Sequence, residues 1–486
     1  MPRQHGSVDD RSGTQGQAPP RPRTSYLEES QCQSLDRAAR RVLTQKGWRV
    51  ECGRLRRELE ERGFVHREQE ELVLPTEDIL DRYFADLRAQ RFRRDSMRFH
   101  TGGYPTHFID HRDGEMKPHT QASVLELMAV GERLPVVDGV SAPGTMFDVP
   151  LHARPFHTKV LVWTYGEKTT GSFEFTRVDE YPLLKELSRR YADIKGQDIG
   201  AVLSGNAFRE HALVFGRDKC DFFYRFRDDG FGFRFSNALP VMGLQAPATI
   251  SGAILASLID GITTGLFHYV YDGDVGLALA TPTVLDMSTS MPRKGVPESL
   301  KLLLGLSSMA DYYGASVLGN QAFRSQAKSV MSYQNGAERI GHLIAACMCG
   351  VTSFNAMGHL SEPDSISSLP QLVLDAEMAA QMRYLLRGFE IDADRMAMPQ
   401  LLDDPYRMTF VAEPHTVEHM RDEMHLGGLF VGAERYDAVS QAAEDEYERA
   451  CREADRLLEE PLPRRLTCDE EAYLMEVAHQ AERELA

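Results

Sequence analysis

The sequence predicts an α/β protein: a TIM-type (β/α)8 barrel with an N-terminal mainly helical domain and C-terminal helices. Three observations predict it. First, Asp311–His359 contains two short apolar runs of strand composition, Ala315–Leu318 and Val351–Phe354. Between them, Ile340, Leu343, Ile344 and Cys347 recur at helical spacing. A strand–helix–strand unit of this kind implies a parallel sheet. Second, apolar runs followed by polar or Gly/Pro-rich segments recur at Pro135–Val140, Lys159–Trp163, Ala212–Phe215, Leu239–Leu244, Val275–Ala280, Ala315–Leu318 and Val351–Phe354. The last four lie roughly 30 to 40 residues apart, the length of one β/α unit. An eighth strand is expected near Phe389–Asp392 or within Met408–Val411. Third, the late strands lead into polar residues: Asn320, Gln321, Arg324, Gln326 and Lys328 after one, Asn355, His359, Glu362 and Asp364 after the other. Residues just past the C-terminal ends of parallel strands build the ligand site in such folds. A doubly wound open sheet is the other architecture considered, but no dinucleotide glycine fingerprint supports it.

The chain has 486 residues, 42% apolar and 26% charged, enough for one large domain with additions or for two domains. A formal net charge of −17 argues against nucleic acid or an anionic membrane as the main partner and suits a cationic ligand. Seven scattered cysteines show no disulfide framework, so a reducing cytoplasm is expected. Cys347 and Cys349, two apart, diverge on a helix and read as buried apolar residues. No H-E-x-x-H, C-x-x-C or Walker motif is present, and no signal-peptide core or bilayer-length apolar run is read from the pattern.

In order, residues 1–24 read as a disordered tail rich in Gly, Pro, Gln, Arg and Ser. Residues 25–130 read as a helical/α+β domain. It has helices at Ser34–Trp48 and Cys52–Arg62, short strands within Phe64–Leu74, a helix at Thr76–Ala89 opened by Pro75, and another at Gln121–Val130. Residues 131–412 form the expected barrel. Within it, the aromatic alternation of Asp221–Asn237 predicts a β-hairpin turning at Asp229–Gly230. Ser368–Arg387 predicts a helix capped by Ser368, with Pro370 tolerated in its first turn. Residues 413–486 read as a helical extension, with helices at Tyr436–Leu458 and Cys468–Leu485.

The segment Glu413–Met424, EPHTVEHMRDEM, followed by Glu434, Arg435 and Tyr436, resembles the C-terminal signature of the trimethylamine methyltransferase family. Further stretches match in the same order: Arg41–Val50, the GGYPTHFIDHRDGEMKPHT block, Val241–Ala253, Thr281–Ser290 and Leu369–Gly388. The likeness spans roughly Tyr26 to Leu462, and the joint order of the motifs carries it more than any one of them. The resemblance implies a β/α barrel that moves a methyl group from a methylated amine to the Co(I) of a corrinoid (cobalamin) held on a separate small protein. It implies no tightly bound cofactor of the chain's own, and it leaves room for a homo-oligomer. The chain contains no pyrrolysine; that residue of the trimethylamine enzyme falls near Ser332–Gly336 here. A non-pyrrolysine member is therefore implied, with a quaternary, glycine betaine-like amine or trimethylamine as donor. The chain departs from the family pattern at His425–Gly428 and in Asp221–Asn237.

A quaternary ammonium has a neutral leaving group and Co(I) is a strong nucleophile, so the protein need only align the carbon and accommodate a fixed cation. Aromatic faces serve the cation, and Tyr104, Tyr269, Tyr271, Tyr333 and Phe354 lie near expected strand ends or loops. A betaine carboxylate calls for Arg, His or amide donors, here Asn320, Gln321, Arg324, Gln334 and His359. The substrate-binding candidates are thus Tyr104, Tyr269, Asn320, Gln321, Arg324, Gln334 and His359; no catalytic residue or metal ligand is assigned. Among these and other polar or sulfur-bearing positions, plain structural alternatives are domain packing for Tyr104, helix-start polarity for Gln334 and Asn335, turn formation for Asp286, core for Met287 and a salt bridge for Glu377. His415 and His419, four apart, read as a helix start or docking element rather than a metal pair. A barrel hydrolase or lyase, and a non-catalytic binder of quaternary amines, are the competing functions.

Overall fold

The computed structural model describes residues 24–90, 97–103, 105–143, 145–169, 177–319, 322–327, 329–360, 366–425, 427–430 and 445–485. The first helix, Glu29–Lys46, begins earlier than the apolar period suggests because Glu28 and Gln31 form a reciprocal capping box. It buries Cys32, Asp36, Ala39 and Leu43 along one face. Val65–Arg67 and Leu72–Leu74 form the short antiparallel strands expected in Phe64–Leu74, and Trp48–Val50 joins them. The other neighbour of Trp48–Val50 is Val214–Phe215, paired in parallel. The Ala212–Phe215 run, expected as a barrel strand, therefore belongs to the N-terminal sheet.

The main sheet is parallel, in the order Ala278–Ala280, Ser316–Gly319, Ser353–Met357, Arg98–Thr101. Pro297–Tyr313 and Tyr333–Met348 are its crossover helices. Single parallel bridges continue it from His100 to Gly139 and from Val140 to Thr169. A separate parallel pair joins Ser204–Phe208 to Gly232–Ser236.

These sheets are small and open, which corrects the expectation of a closed TIM-type (β/α)8 barrel. The reason lies in the strands that do not form. Lys159–Trp163 is part of a helix, Arg154–Tyr165, with Pro155 in its first turn and Phe156, Val160 and Leu161 buried. A short continuous apolar run looks alike in a buried strand and a buried helix. Leu239–Leu244 turns instead of extending: Leu239 has φ 54° and Gly243 φ 91°. Pro135–Val140 contributes isolated bridges alone. Neither Phe389–Asp392 nor Met408–Val411 is a strand.

The expected hairpin at Asp221–Asn237 is likewise corrected. Arg217–Asp228 is a helix that buries Phe222, Phe223, Tyr224 and Phe226, and only Gly232–Ser236 is extended. The chain does reverse at Asp229–Gly230, with Gly230 at φ 83°. Helix Leu369–Leu386 is capped by the Ser368 side chain, which accepts from Gln371 N, as expected. The helix Ile250–Asp272 is long and apolar enough to cross a membrane by length and composition, contrary to the pattern-based reading; 67% of its apolar window is buried inside the protein. It packs on Glu29–Lys46, Pro297–Tyr313 and Ala278–Ala280. At the C-terminal end, Glu446–Leu458 lies across Leu369–Leu386 and Gln121–Arg133, and Cys468–Glu484 across Arg154–Tyr165 and Tyr181–Lys195.

A buried ion pair ties the Ser204–Phe208 region to the long helix. Arg209 donates to Asp260, to Thr264 Oγ1 at 2.7 Å and to the Ala212 carbonyl at 2.7 Å. Asp260 also accepts from Ala238 N at 2.9 Å and Leu239 N at 3.1 Å. Both side chains are shielded from water, at 0% and 1% exposure. Removing one partner of such a pair strands the other charge. Asp260→Ala is expected to destabilise the fold by about 3–5 kcal/mol, read as a lowered urea midpoint with an unchanged slope.

Candidate functional site

Four chain segments converge past the C-terminal ends of the main-sheet strands. Gly102 and Gly103 follow Arg98–Thr101, and Gly358 and His359 follow Ser353–Met357. Arg324 follows Ser316–Gly319. Lys294 follows Ala278–Ala280 by way of the antiparallel pair Val284–Leu285 and Pro292–Arg293. The segments touch closely. A Cβ on Gly103, which has φ 85°, would lie 2.6 Å from His359 Cε1. One on Gly295, at φ 71°, would lie 2.3 Å from the Arg324 carbonyl oxygen. Both positions therefore require glycine.

His359 is 3% exposed, and among the described residues its Nδ1 has no hydrogen-bond partner. Burial, reinforced by the positive charges of Arg324, Arg339 and Lys294, holds its pKa well below the usual imidazole value. The ring is thus neutral at pH 7. Lys294 is also buried.

The bend that presents His359 is held by a buried polar network. Arg339 Nη1 donates to both Asp375 oxygens, at 3.0 and 2.9 Å, and to the Phe323 carbonyl. Its Nη2 donates to the His359 carbonyl and its Nε to Asn335 Oδ1 at 2.8 Å. Asp375 in turn accepts from Gly358 N at 2.7 Å and Gln371 Nε2 at 2.8 Å. Burial works against both charges, pushing Asp375 up to about 6 and Arg339 down. Charge-assisted hydrogen bonds to the carboxylate, with neighbouring amide and carbonyl partners for both groups, keep the pair ionic. Beside it, His119 shares hydrogen bonds with Ser123 Oγ at 2.8 Å and Ser367 Oγ at 2.9 Å. Burial lowers its pKa to about 4, with His107 adding to the effect.

The family model described as Trimethylamine methyltransferase (MTTB) matches residues 4–486. The chain belongs to that family. Membership makes it a methyltransferase of the corrinoid-dependent methylamine group, in which the corrinoid is external and carried by a partner protein. Comparison with curated proteins finds no match. Among solved structures, the Methanosarcina barkeri monomethylamine methyltransferase (MtmB) aligns with 11% identity and a TM-score of 0.43, over 90% of this chain and 88% of that one. The hydroxylamine complex of MtmB aligns with 11% identity and a TM-score of 0.40, over 94% and 92%. Neither superposition is close enough to bear on the chemistry.

Of the residues singled out in this trimethylamine methyltransferase family member, His359 and Arg324 come together. Gln334 is exposed on the first turn of Tyr333–Met348 and donates to Glu338 Oε1 at 2.8 Å. Glu338 also accepts from Ser325 Oγ and Gln326 N, both at 2.8 Å, so Gln334 reaches the Arg324 loop through Glu338. Tyr269 lies near the C-terminus of Ile250–Asp272, where the chain enters Ala278–Ala280. It is at the opposite end of the strands from His359; its hydroxyl donates to Asp86 Oδ2 at 2.6 Å. Tyr104, Asn320 and Gln321 lie outside the described residues.

Among the secondary candidates, Tyr271 donates to Glu58 and Tyr333 is 94% exposed. Phe354 stacks on Phe99, and Arg383 of Leu369–Leu386 lies over Phe99, which puts Phe354 on the helix-covered face. Asp286 accepts from Ser288 N and Oγ and so forms a turn, while Met287 is exposed. Cys347 and Cys349 are both buried. His415 and His419 do gather a third group, Asp394. However, Arg395 Nη1 lies 3.1 Å from His419 Nδ1, and His415 Nε2 lies 2.7 Å from the Asp394 carbonyl. The cluster is internally hydrogen-bonded, with a cation where a metal would be repelled.

The pattern reading did not single out Lys294, Arg339, Gln371, Asp375 or His119, and weighed Asn335 only beside Gln334 at the helix start. A signal for the network exists: Asn335 and Arg339, like Gln371 and Asp375, are polar pairs four apart within otherwise apolar helix faces. The buried histidines also set a pH dependence. His119 titrates near 4 when folded and near 6.5 when unfolded, so in between the unfolded chain binds more protons. Stability therefore falls as pH drops from 6.5 towards 4. His119 alone accounts for a loss on the order of 3 kcal/mol once the drop is complete. His119→Gln is expected to flatten the urea midpoint against pH across that window.

Proposed function

We propose that this chain transfers a methyl group from a carboxylate-bearing quaternary amine, glycine betaine-like, to the Co(I) of a corrinoid on a separate protein, as a non-pyrrolysine member of its family. The observation that carries the choice of donor is the charge at the strand ends. Arg324, Arg339 and buried Lys294 all bear on His359 and lower its pKa, and Arg339 also pairs with Asp375. A betaine brings a carboxylate that these cations can hold by charge-assisted hydrogen bonds, leaving its trimethylammonium end free to face the acceptor. Tyr104, next in sequence to Gly103, is the aromatic residue we assign to that end.

The acceptor supplies the nucleophile, so the chain's own residues need only bind and orient the donor. His359, held neutral by burial, contributes a hydrogen-bonding edge without adding charge. The absence of disulfides among the seven free cysteines supports a reducing compartment, and we place the protein in the cytoplasm.

The test is methyl transfer to a reduced corrinoid protein, followed by loss of the Co(I) absorption. Wild-type protein should turn over glycine betaine or a close homologue. Arg324→Gln should lower kcat/KM for that donor roughly 10- to 100-fold, about 1.5–3 kcal/mol, with a much smaller effect on tetramethylammonium. Equal losses on both donors, or binding without turnover, would count against this reading.

A further inference from the structure

Two helices begin side by side at the edge of the N-terminal sheet. Trp48–Val50 pairs in parallel with Val214–Phe215, and each strand runs on into a helix, Gly53–Glu61 from one and Arg217–Asp228 from the other. With Val50 beside Phe215, parallel pairing brings the two helix N-termini together. A cysteine stands at each. Cys52 is the N-cap residue of Gly53–Glu61, and Cys220 lies one turn into Arg217–Asp228. A helical side chain leans back toward the N-terminus of its helix. The Cys220 thiol does so, lying 3.8 Å from the Phe215 carbonyl oxygen. That same oxygen accepts, at 3.0 Å, from the amide of Glu51, the residue before Cys52. The Glu51 carboxylate closes the seam by accepting from Arg217 N at 3.2 Å. The two sulfurs are thus neighbours, in hydrogen-bonding contact with each other.

The two thiols are not equivalent. Cys52 is partly exposed, whereas Cys220 is fully buried. The Cys220 thiol donates to Cys52, and the Leu55 and Arg54 amides at the helix start add to the effect. Together they lower the Cys52 pKa to about 6, against burial and the nearby Asp221 carboxylate. Cys220 is pushed up by the same contact, by burial, and by Asp221 and Glu210. At pH 7 one sulfur is therefore a thiolate with access to solvent, and the other is a protonated thiol aimed at it. Cys347 and Cys349, close in sequence, make the contrast: both are buried, and burial pushes the Cys349 thiol up.

We propose that Cys52 and Cys220 are a peroxide-reactive pair, Cys52 attacking and Cys220 resolving, that closes to a reversible disulfide. The Cys52 sulfur takes one peroxide oxygen as the O–O bond breaks, and hydroxide leaves. The Cys220 sulfur then attacks the sulfenic sulfur of Cys52. The S–O bond breaks, and the departing hydroxide takes the Cys220 proton and leaves as water. Overall the two cysteines lose two electrons, and one peroxide is reduced to water and hydroxide. A dithiol reductant reverses the bond. Such a pair suits a reducing compartment, where the disulfide forms only under oxidant and is afterwards removed. It would staple the start of Gly53–Glu61 to Arg217–Asp228, segments far apart in the sequence, so the oxidised chain resists unfolding more than the reduced one.

The test treats the reduced full-length protein with hydrogen peroxide and maps its cysteines by non-reducing peptide mass spectrometry. Free thiols should fall from seven to five, two being consumed, and those two should appear as one linked Cys52–Cys220 peptide that dithiothreitol releases. Cys220→Ser should stop at the sulfenic acid on Cys52, trapped by a 1,3-diketone reagent, and Cys52→Ser should leave Cys220 reduced. Cys468→Ser, at the exposed cysteine of the last helix, should leave the link unchanged. Oxidised wild type should show a higher urea midpoint than the reduced form and return to the reduced value with dithiothreitol. The wild-type map does not depend on any variant folding. All seven thiols surviving peroxide, a link to a different cysteine, or Cys52 overoxidised beside an intact Cys220 would each overturn the proposal. None of these measurements depends on methyl transfer.

Discussion

Arg339 and Asp375 reach each other from neighbouring helices at a place without water, and the strand-end geometry follows from the terms on which they can do so. Taking two charges out of water costs several kcal/mol per ion unless every polar atom around them is matched. Here much of the matching is done by main chain. The carbonyls of Phe323 and His359 accept from the guanidinium, and the amide of Gly358 donates to the carboxylate. The same interaction therefore holds the turn after Ser316–Gly319 and the turn after Ser353–Met357. It also holds backbone that would otherwise relax: Ala356 sits at φ 70° and Gly358 at φ 81°, a conformation an alanine adopts only when its surroundings impose it.

From that constraint comes the chemistry of the region. His359 is pressed against the Gly103 backbone and kept neutral by burial and by nearby cations. The chain is strongly acidic, yet three cations, Arg324, Arg339 and Lys294, stand near His359 at the strand ends. In the proposed function these are the cations that would receive the donor's carboxylate. The buried histidines His119 and His359 are both held unprotonated at neutral pH, and the quaternary donor proposed above leaves as a neutral amine without needing a proton.

Some of this was legible in the pattern of residues. Arg324 and His359 were accessible because a parallel strand–helix–strand unit puts the residue after a strand at the ligand edge, and that unit forms as read. Tyr269 shows where the rule fails: it ends a helix that enters a strand, so it stands at the far edge. Lys294 was hidden by the small antiparallel excursion that carries it back over the sheet. Arg339 and Asp375 were half visible, as polar residues in apolar stripes, but nothing in either helix says that the two stripes face each other. The aromatic block 221–237 reads equally as strand or helix, and only the packing of Phe223 against Phe235 and Phe267 separates the readings.

The sequence alone determined what depends on neighbours along the chain: the helix capped at Ser368, the crossover unit around Tyr333–Met348, and the ordered motifs that place the chain in its family. Tertiary structure decided what depends on residues far apart. Phe215 lies beside Val50, Arg98–Thr101 lies beside Ser353–Met357, the sheets stay open, and Arg339 meets Asp375. Periodicity and capping are local, short-range energies written into adjacent residues. Strand pairing and the burial of a charge are settled by competition among many distant partners, and no stretch of sequence records the outcome by itself.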